Sequence, residues 1–518
     1  MIGQIAGSPI LPVLLFCFAL AVRWLGAKEA VTPFDTYFYL LSTREVRRQG
    51  LFLSGALDLP LIPPQKLAVP YLLQWCFSFI PAKTFMRLHP WVGLVADSLF
   101  TVGIFLLVGA CGFMPDVALI VSMLYLLCPI MFSRVAIGPR VSSFTPRLFS
   151  EILANLFYAT MFFPLPLPDG QRIAIGVALA AMTLLMSKFG LQVLLFMTPI
   201  ACAIAGDAKP MIALVGAFAV AAVLTGGRCI EAFAGQFRHL AVYAAKNFRK
   251  DTAISNRNSL SQLRTYLDQR KVVSSRLAKI GFFLLSSNSF TAVILKFSAV
   301  PVCIILLFRQ LASGEVVEPW LLAPIMASLA VYLAINIPAL LFLGEAERYL
   351  THVGVFFLVA VTQITLATGA EWIVAGLVVA GGIYFLAETF LLPRLEREVR
   401  ARDREASHLV ARFADQGRHR RVVLYPYHAI GVWRLAWQTS CEVFYPIALD
   451  PEQAATIRPF EGQYPFVEIN RLNEMADHFG IDTLIIQTGS PLPRDFQTGS
   501  DWVREDTDYT HFTVFTRY

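Results

Sequence analysis

One aspartate, Asp35, heads the polar stretch VTPFDTYFYLLSTREVRRQG, residues 31–50, directly after an apolar run. The spacing predicts a helix. Phe38, Leu41 and Val46 share a face suited to lipid, Arg44, Arg47 and Arg48 a face suited to water, and Gly50 stops the helix. A carboxylate at the start of an interfacial helix can act as a general base, or simply as an N-cap of that helix. A second candidate lies in GEAERYL, residues 344–350. There Arg348 could meet a phosphate with its guanidinium fork, or pair with Glu345 or Glu347. A third is MFSRVAIGPRVSSFTPRLFSE, residues 131–151. Arg134, Arg140 and Arg147 could bind phosphate or lipid head groups, and Glu151 stands one turn after Arg147 as a possible ion-pair partner. Lys188 interrupts two apolar runs, as a tight interfacial turn or as another phosphate contact. Asp97, inside an apolar run, is either a functional carboxylate or a packing hydrogen-bond partner. His89 and His352 are isolated and take no role.

The elements that hold these residues are dictated by hydropathy. Hydrophobic residues make up 56% of the 518 and charged residues only 15%, with a mean hydropathy of +0.60. A soluble surface needs roughly 25% charge, so most of this chain is solvated by lipid. The formal charge of +7 is modest and argues for lipid head groups or a phosphorylated ligand rather than nucleic acid. Of the eight cysteines, Cys17, Cys111, Cys128, Cys202 and Cys303 lie in apolar runs. None forms a Cys-x-x-Cys or Cys/His cluster, which excludes a structural zinc motif.

A helix needs about 20 apolar residues to cross the hydrocarbon. Runs at about 8–25, 91–111, 117–137, 148–163, 171–187, 189–206, 210–226, 284–308, 319–343, 349–369 and 371–392 give eleven candidate spans. The first has no basic leader or small-residue cleavage site and reads as a retained span. The run 67–80 reaches only about 21 Å as a helix: it is either interfacial, leaving eleven spans and the two ends of the chain on opposite sides, or a twelfth span that puts both ends on one side. The loop 227–279 carries eleven Lys/Arg against three Asp/Glu. The charge bias of membrane proteins would put it in the cytoplasm. Phe233, Phe237, Leu240, Ala244 and Phe248 recur at helical spacing, so part of it can lie amphipathically on the membrane.

After Pro393 the charge deficit ends. A charge-dense helix over 394–421 leads to alternating strand and helix patterns: RVVLYP (421–426), HAIGVWRLAW, CEVFYP (441–446), NRLNEMADHFG ended by Gly480, DTLIIQT (482–488), and a final hairpin in DWVRED and YTHFTVFTRY. The expected division is a polytopic α-helical membrane part, 1–393, whose first loop is 31–90, and a small C-terminal α/β domain, 394–518. The second part has no Gly-rich phosphate loop or nucleophile elbow and reads as a lid or docking domain.

The order of span, Asp-plus-aromatics (FDTYFYL), basic helix ending in Gly, PPQKLAVPYLL, the 131–151 loop, GEAERYL and an α/β tail resembles the GT-C superfamily of membrane glycosyltransferases. That resemblance implies a GT-C-like fold and inverting transfer of a sugar from a polyprenyl-phosphate-linked donor to a lipid-linked glycan or cell-envelope acceptor. It implies Asp35 as the base, Arg348, Arg147, Arg140 and Lys188 at the donor phosphate, and Tyr37, Tyr39, Glu151 and Glu345 in loops beside acceptor and donor. No cofactor is implied. The paired acids with which oligosaccharyltransferases bind a divalent metal have no counterpart in AIGPRVSSFTPR, so no metal ligands are assigned and protein N-glycosylation is disfavoured. The resemblance also puts the Asp35 loop, the 131–151 loop, Arg348 and the tail on the extracytoplasmic face of a bacterial inner membrane. The loop 227–279 then lies on that face too, against its charge bias. The competing readings are a transporter or lipid flippase, and a GT-C-like subunit without activity. The absence of an internal repeat and the clustering of candidate groups at span ends weigh against transport.

Overall fold

A computed structural model describes residues 9–517 apart from 29, 134–139, 243, 246–287, 418, 427–428, 447–454, 461–470, 491–495, 497–500 and 507. The apolar runs fold as helices. Five are long and apolar enough to cross a membrane: Ile10–Ala27, Ala82–Ala110, Asp169–Met186, Lys188–Ala205 and Glu371–Arg394. Two bent pairs, Lys209–Leu224 with Arg228–Ala241 and Ser289–Lys296 with Ala299–Ala312, bring the number to seven if each is one span. Pro115–Leu127, Pro319–Ile335 and Gly354–Ala367 are apolar but shorter, as is the helix Pro146–Phe162. Hydropathy alone merges segments that the backbone breaks. The run 117–137, for example, ends one helix at Leu127 and starts another at Pro129.

The 113° bend after Leu224 has a local cause. Gly226 and Gly227 have φ of 57° and 83°, left-handed values that other residues adopt at a cost. The chain turns there from a span into the helix Arg228–Val242. Cys229, Ala232, Phe233, Gln236 and Leu240 face protein, while Ile230 and Phe237 are exposed two turns apart, as expected for a helix lying on a membrane. Most of the basic loop 227–279, including Phe248, lies outside the described residues.

Two expectations about the first loop change. The run 67–80 is not one interfacial helix. Its first half is β3 (Gln65–Pro70), antiparallel to β1 (Ser54–Leu59) with Ser54 opposite Pro70 and Leu59 opposite Gln65. Only Leu72–Ser78 is helical. The helix Phe34–Gln49 does end at Gly50 in the left-handed conformation. Its apolar face, however, meets protein rather than lipid. Leu41 and Val46 are buried, and Phe38 packs edge-on against Trp433 at 4.9 Å.

The remaining strands build one six-stranded sheet in the order β2-β5-β4-β6-β8-β7. These are β2 (Leu61–Ile62), β4 (Arg421–Tyr425), β5 (Glu442–Phe444), β6 (Thr483–Gln487), β7 (Trp502–Arg504) and β8 (Phe512–Arg517). Strand β2 comes from the first loop and pairs in parallel with β5, so the sheet is not made by the tail alone. β4 and β6 are buried on both faces, as central parallel strands usually are. Alternate residues Val422 and Leu424 join Leu409, Phe413 and Trp433; Val423 and Tyr425 join Met475 and Phe479 on the opposite face.

Glu505 locks the helix Arg397–Gln416 to the sheet. Arg412 lies 2.7 Å and Arg420 2.8 Å from its carboxylate, and the Thr516 hydroxyl donates to it at 3.2 Å. Burial alone would raise the Glu505 carboxyl, but the hydrogen bond and charge of Arg420, with Arg412 and Thr516, outweigh it and hold the group below the usual range. A depressed carboxyl stabilises the fold fully above the ordinary carboxylate pKa and loses that contribution as pH falls through its folded value. Glu505→Gln should therefore cost about 1–2 kcal/mol at neutral pH. The difference from wild type should shrink as acid is added, read as thermal melting in detergent across a pH series.

Candidate functional site

Pro33, in an extended conformation, occupies the N-cap of Phe34–Gln49, so Asp35 is not the capping residue but a member of the first turn. Negative charge is favourable there. Its carboxylate remains 48% exposed and pairs with Arg147 at 2.9 Å. Arg147 stands in the first turn of Pro146–Phe162, where the Thr145 side chain caps the helix. Tyr39, one helical turn beyond Asp35, hydrogen-bonds both Thr145 and Arg147. Burial holds its phenol above the usual value against the pull of Arg147, so it stays neutral and keeps its proton.

Asp35, Tyr39, Arg147 and Lys188 line one half-open cavity of about 770 Å³. One wall is the face of Phe34–Gln49 that carries Asp35 and Tyr39. Arg147 and the turn Met186–Ser187–Lys188 contribute a second. The hairpin residues 66–70 make a third, closed by Gln236 and His239 from the helix Arg228–Val242. The Ser187 side chain caps the helix that Lys188 begins, accepting from the Gly190 amide. Among the described residues no ion pair engages Lys188, so the cavity carries more positive charge than Asp35 offsets. A mostly apolar trough with a few convergent cations suits an amphiphile with an anionic head.

Arg348 sits behind this wall. It pairs with Glu345, lies over the Phe189 ring at 5.2 Å, and shares a small pocket with Arg147, Glu151 and His352. The alternative reading of Arg348 as the partner of Glu345 is thus realised in this structure, within reach of Arg147.

Arg140 belongs elsewhere. It is buried, with a carboxylate oxygen of Asp97 at 3.2 Å and one of Glu151 at 2.8 Å. Arg23 holds Asp97 at 2.5 Å, and the Tyr125 hydroxyl donates to it at 2.7 Å. Asp97 is therefore a packing anchor between spans, and Glu151 is the partner of Arg140 rather than of Arg147. Tyr37 points away from the cavity, with the Arg434 guanidinium 5.2 Å over its ring. Arg134 lies outside the described residues. Among the described residues, no group of three or more His, Cys, Asp or Glu converges as a metal site.

No family model matches the chain, and no curated protein does. Solved structures do. The apo crystal structure of the Archaeoglobus fulgidus oligosaccharyltransferase superposes with a TM-score of 0.52 at 11% identity, over 93% of this chain and 70% of that one. The same enzyme tethered to an acceptor peptide containing the NVT sequon gives 0.52 and 11%, over 93% and 69%. The fold is GT-C. At this identity the likeness concerns the backbone alone, and the roles of side chains rest on the geometry given above.

This framework carries several cavity residues that the motifs do not include. Trp433 and Tyr445 enter from the C-terminal part, their rings tilted against each other with centroids 4.6 Å apart. Their signal was an ordinary aromatic in a helix and in a strand. The hairpin is half legible: Leu57, Asp58 and Leu59 alternate before LIPP, but Leu67, Ala68 and Val69 after it are continuously apolar. Helix Arg228–Val242 fits onto it because position 235 is glycine. A Cβ there would stand 2.6 Å from that of Ala68. Gly235→Ala should therefore lift the helix from the hairpin and cost about 1–3 kcal/mol. Ala68→Gly in the same chain should recover part of the lost melting temperature.

Proposed function

We propose that this chain is a membrane glycosyltransferase that moves a sugar from a polyprenyl-phosphate-linked donor to a lipid-linked glycan or other cell-envelope acceptor. The observation that carries the proposal is the Asp35–Arg147 pair on the wall of an amphiphile-sized, cationic cavity in a GT-C framework. The acceptor hydroxyl approaches Asp35. As its oxygen bonds to the anomeric carbon, the bond from that carbon to the phosphate oxygen breaks, the electron pair leaves with the phosphate, and the proton passes to the Asp35 carboxylate. Attack from the face opposite the leaving group inverts the anomeric centre. Arg147 and Lys188 offset the phosphate charge, with Arg348 behind them. Tyr39 orients Arg147, and the apolar hairpin wall accommodates the first prenyl units.

Eleven passes fit this reading. The first and last spans both end at the cavity end of the bundle, where Lys28 and Arg394 border one crevice, which requires an odd number of crossings. Among the described residues, the five long helices, the two bent pairs counted once each and the four shorter apolar helices make eleven if each is taken as a span. The cavity then opens on the extracytoplasmic side of a bacterial inner membrane, where lipid-linked sugars are consumed. The residues 394–518 act as a docking domain that closes the acceptor side through Trp433. Lipids extracted from a deletion strain should contain one accumulated glycosylated polyprenyl phosphate, absent after complementation. An unchanged lipid profile would count against the proposal.

A further inference from the structure

A second basic crevice lies apart from the Asp35 cavity, at the junction of the first span, the last span and the helix that leaves it. The two spans approach closely at Gly26, whose position for a Cβ is 3.4 Å from the Phe385 ring. Above that contact, Lys28, Arg394, Arg397, Arg400 and Arg404 border a space of about 690 Å³ together with Ala30, Val31, Phe390 and Pro393. Arg397, Arg400 and Arg404 follow a spacing of three to four residues, which puts them on one face of the helix Arg397–Gln416, and Arg394 stands in the last turn of the span before it. The acid on this lining is Asp403, and it is engaged by Arg434 at 2.7 Å. Arg400 also donates to the Pro393 carbonyl.

The level of the crevice is marked independently. Trp24 is exposed at the end of the first span, with the Lys28 ammonium 5.6 Å over its ring; aromatic residues and snorkelling lysines collect at the membrane–water interface. Below it, the outward surface is apolar and open: Leu25, Ile383, Leu386 and Phe390 are all exposed. Cations at head-group height over an uncovered apolar seam between two spans match a molecule with an anionic head and fatty chains.

We propose that this crevice binds an anionic phospholipid, its phosphate among Arg394, Arg397 and Arg404 and its acyl chain along Leu386 and Phe390. Basic pockets between spans recruit such head groups. Occupancy would brace the helix Arg397–Gln416 against the membrane and so hold the C-terminal sheet over the Asp35 cavity. The site is independent of whether Asp35 is a base.

The test is native mass spectrometry of the full chain in detergent. It is titrated with phosphatidylglycerol or with phosphatidylcholine of the same acyl chains, alone and with millimolar inorganic phosphate. Wild type should retain phosphatidylglycerol in preference to phosphatidylcholine by roughly tenfold or more. The triple variant R394Q/R397Q/R404Q should lose that preference, and R394K/R397K/R404K should keep most of it. All three arginines are exposed, so the variants should melt with wild type. Three results would overturn the proposal: equal retention of the two lipids, unchanged retention in the Gln variant, or displacement of the lipid by inorganic phosphate, which would assign the crevice to soluble phosphoryl groups.

Discussion

Asp35→Asn should reduce transfer by about 10²–10⁴-fold, the usual worth of a positioned general base, and leave carrier affinity within a few-fold of wild type. Asparagine has the same shape and can still accept from Arg147, so the wall keeps its geometry. The lost property is the ability to take a proton as the new glycosidic bond forms. The loss should therefore fall on kcat and kcat/KM together, with the donor KM little changed, as for an interaction made only in the transition state. The assay is transfer of a labelled sugar from a purified polyprenyl-phosphate donor in vesicles, with carrier binding measured separately. A variant that transfers at the wild-type rate would remove Asp35 from the chemistry, whereas a wild-type chain that transfers nothing would favour a transporter or an inactive GT-C subunit.

Asp97→Ala should act on stability instead. The carboxylate is fully buried and holds Arg23, Arg140 and Tyr125. Removing it leaves Arg23 in the core without its carboxylate and Arg140 with Glu151 alone. Breaking a buried ion pair from one side costs about 3–5 kcal/mol, because a desolvated charge is stranded. A thermal-melting assay in detergent should show the loss directly, together with a low yield of folded protein. Asp97→Asn, which can still accept hydrogen bonds, should be less harmful. Activity should follow the folded fraction, unlike the Asp35→Asn case, where fold and activity separate. A melting temperature equal to wild type would mean that the three helices do not depend on this anchor.

Much of the architecture is legible in the residues. Helices follow from runs of apolar side chains, their ends from Gly50, Gly206, Gly417 and Gly480, each left-handed after a helix, and the tail strands from alternation such as FTVFTR. Segment breaks are less legible. A hydropathy window sums side chains and is blind to a backbone that bends at Gly226–Gly227 or restarts at Pro129. The run 67–80 misleads for a related reason: a short apolar stretch fits a strand, a helix or both in succession, and the pairing of β3 with β1 selects the outcome.

For the site, residue types and local order single out Asp35, Arg147, Lys188 and Arg348 because each is a charge beside apolar sequence, which demands a reason. They cannot sort Arg147 from Arg140. The two arginines are the same chemical group seven positions apart, on one Pro-rich stretch. Packing sends Arg140 inward to Asp97 and Glu151 and leaves Arg147 at the cavity wall beside Asp35. Local sequence sets hydropathy, helix ends and strand alternation, since these depend on near neighbours. Which charge meets which depends on how distant spans pack, and Trp433 reaches Phe38 only because the first loop and the C-terminal sheet close on each other.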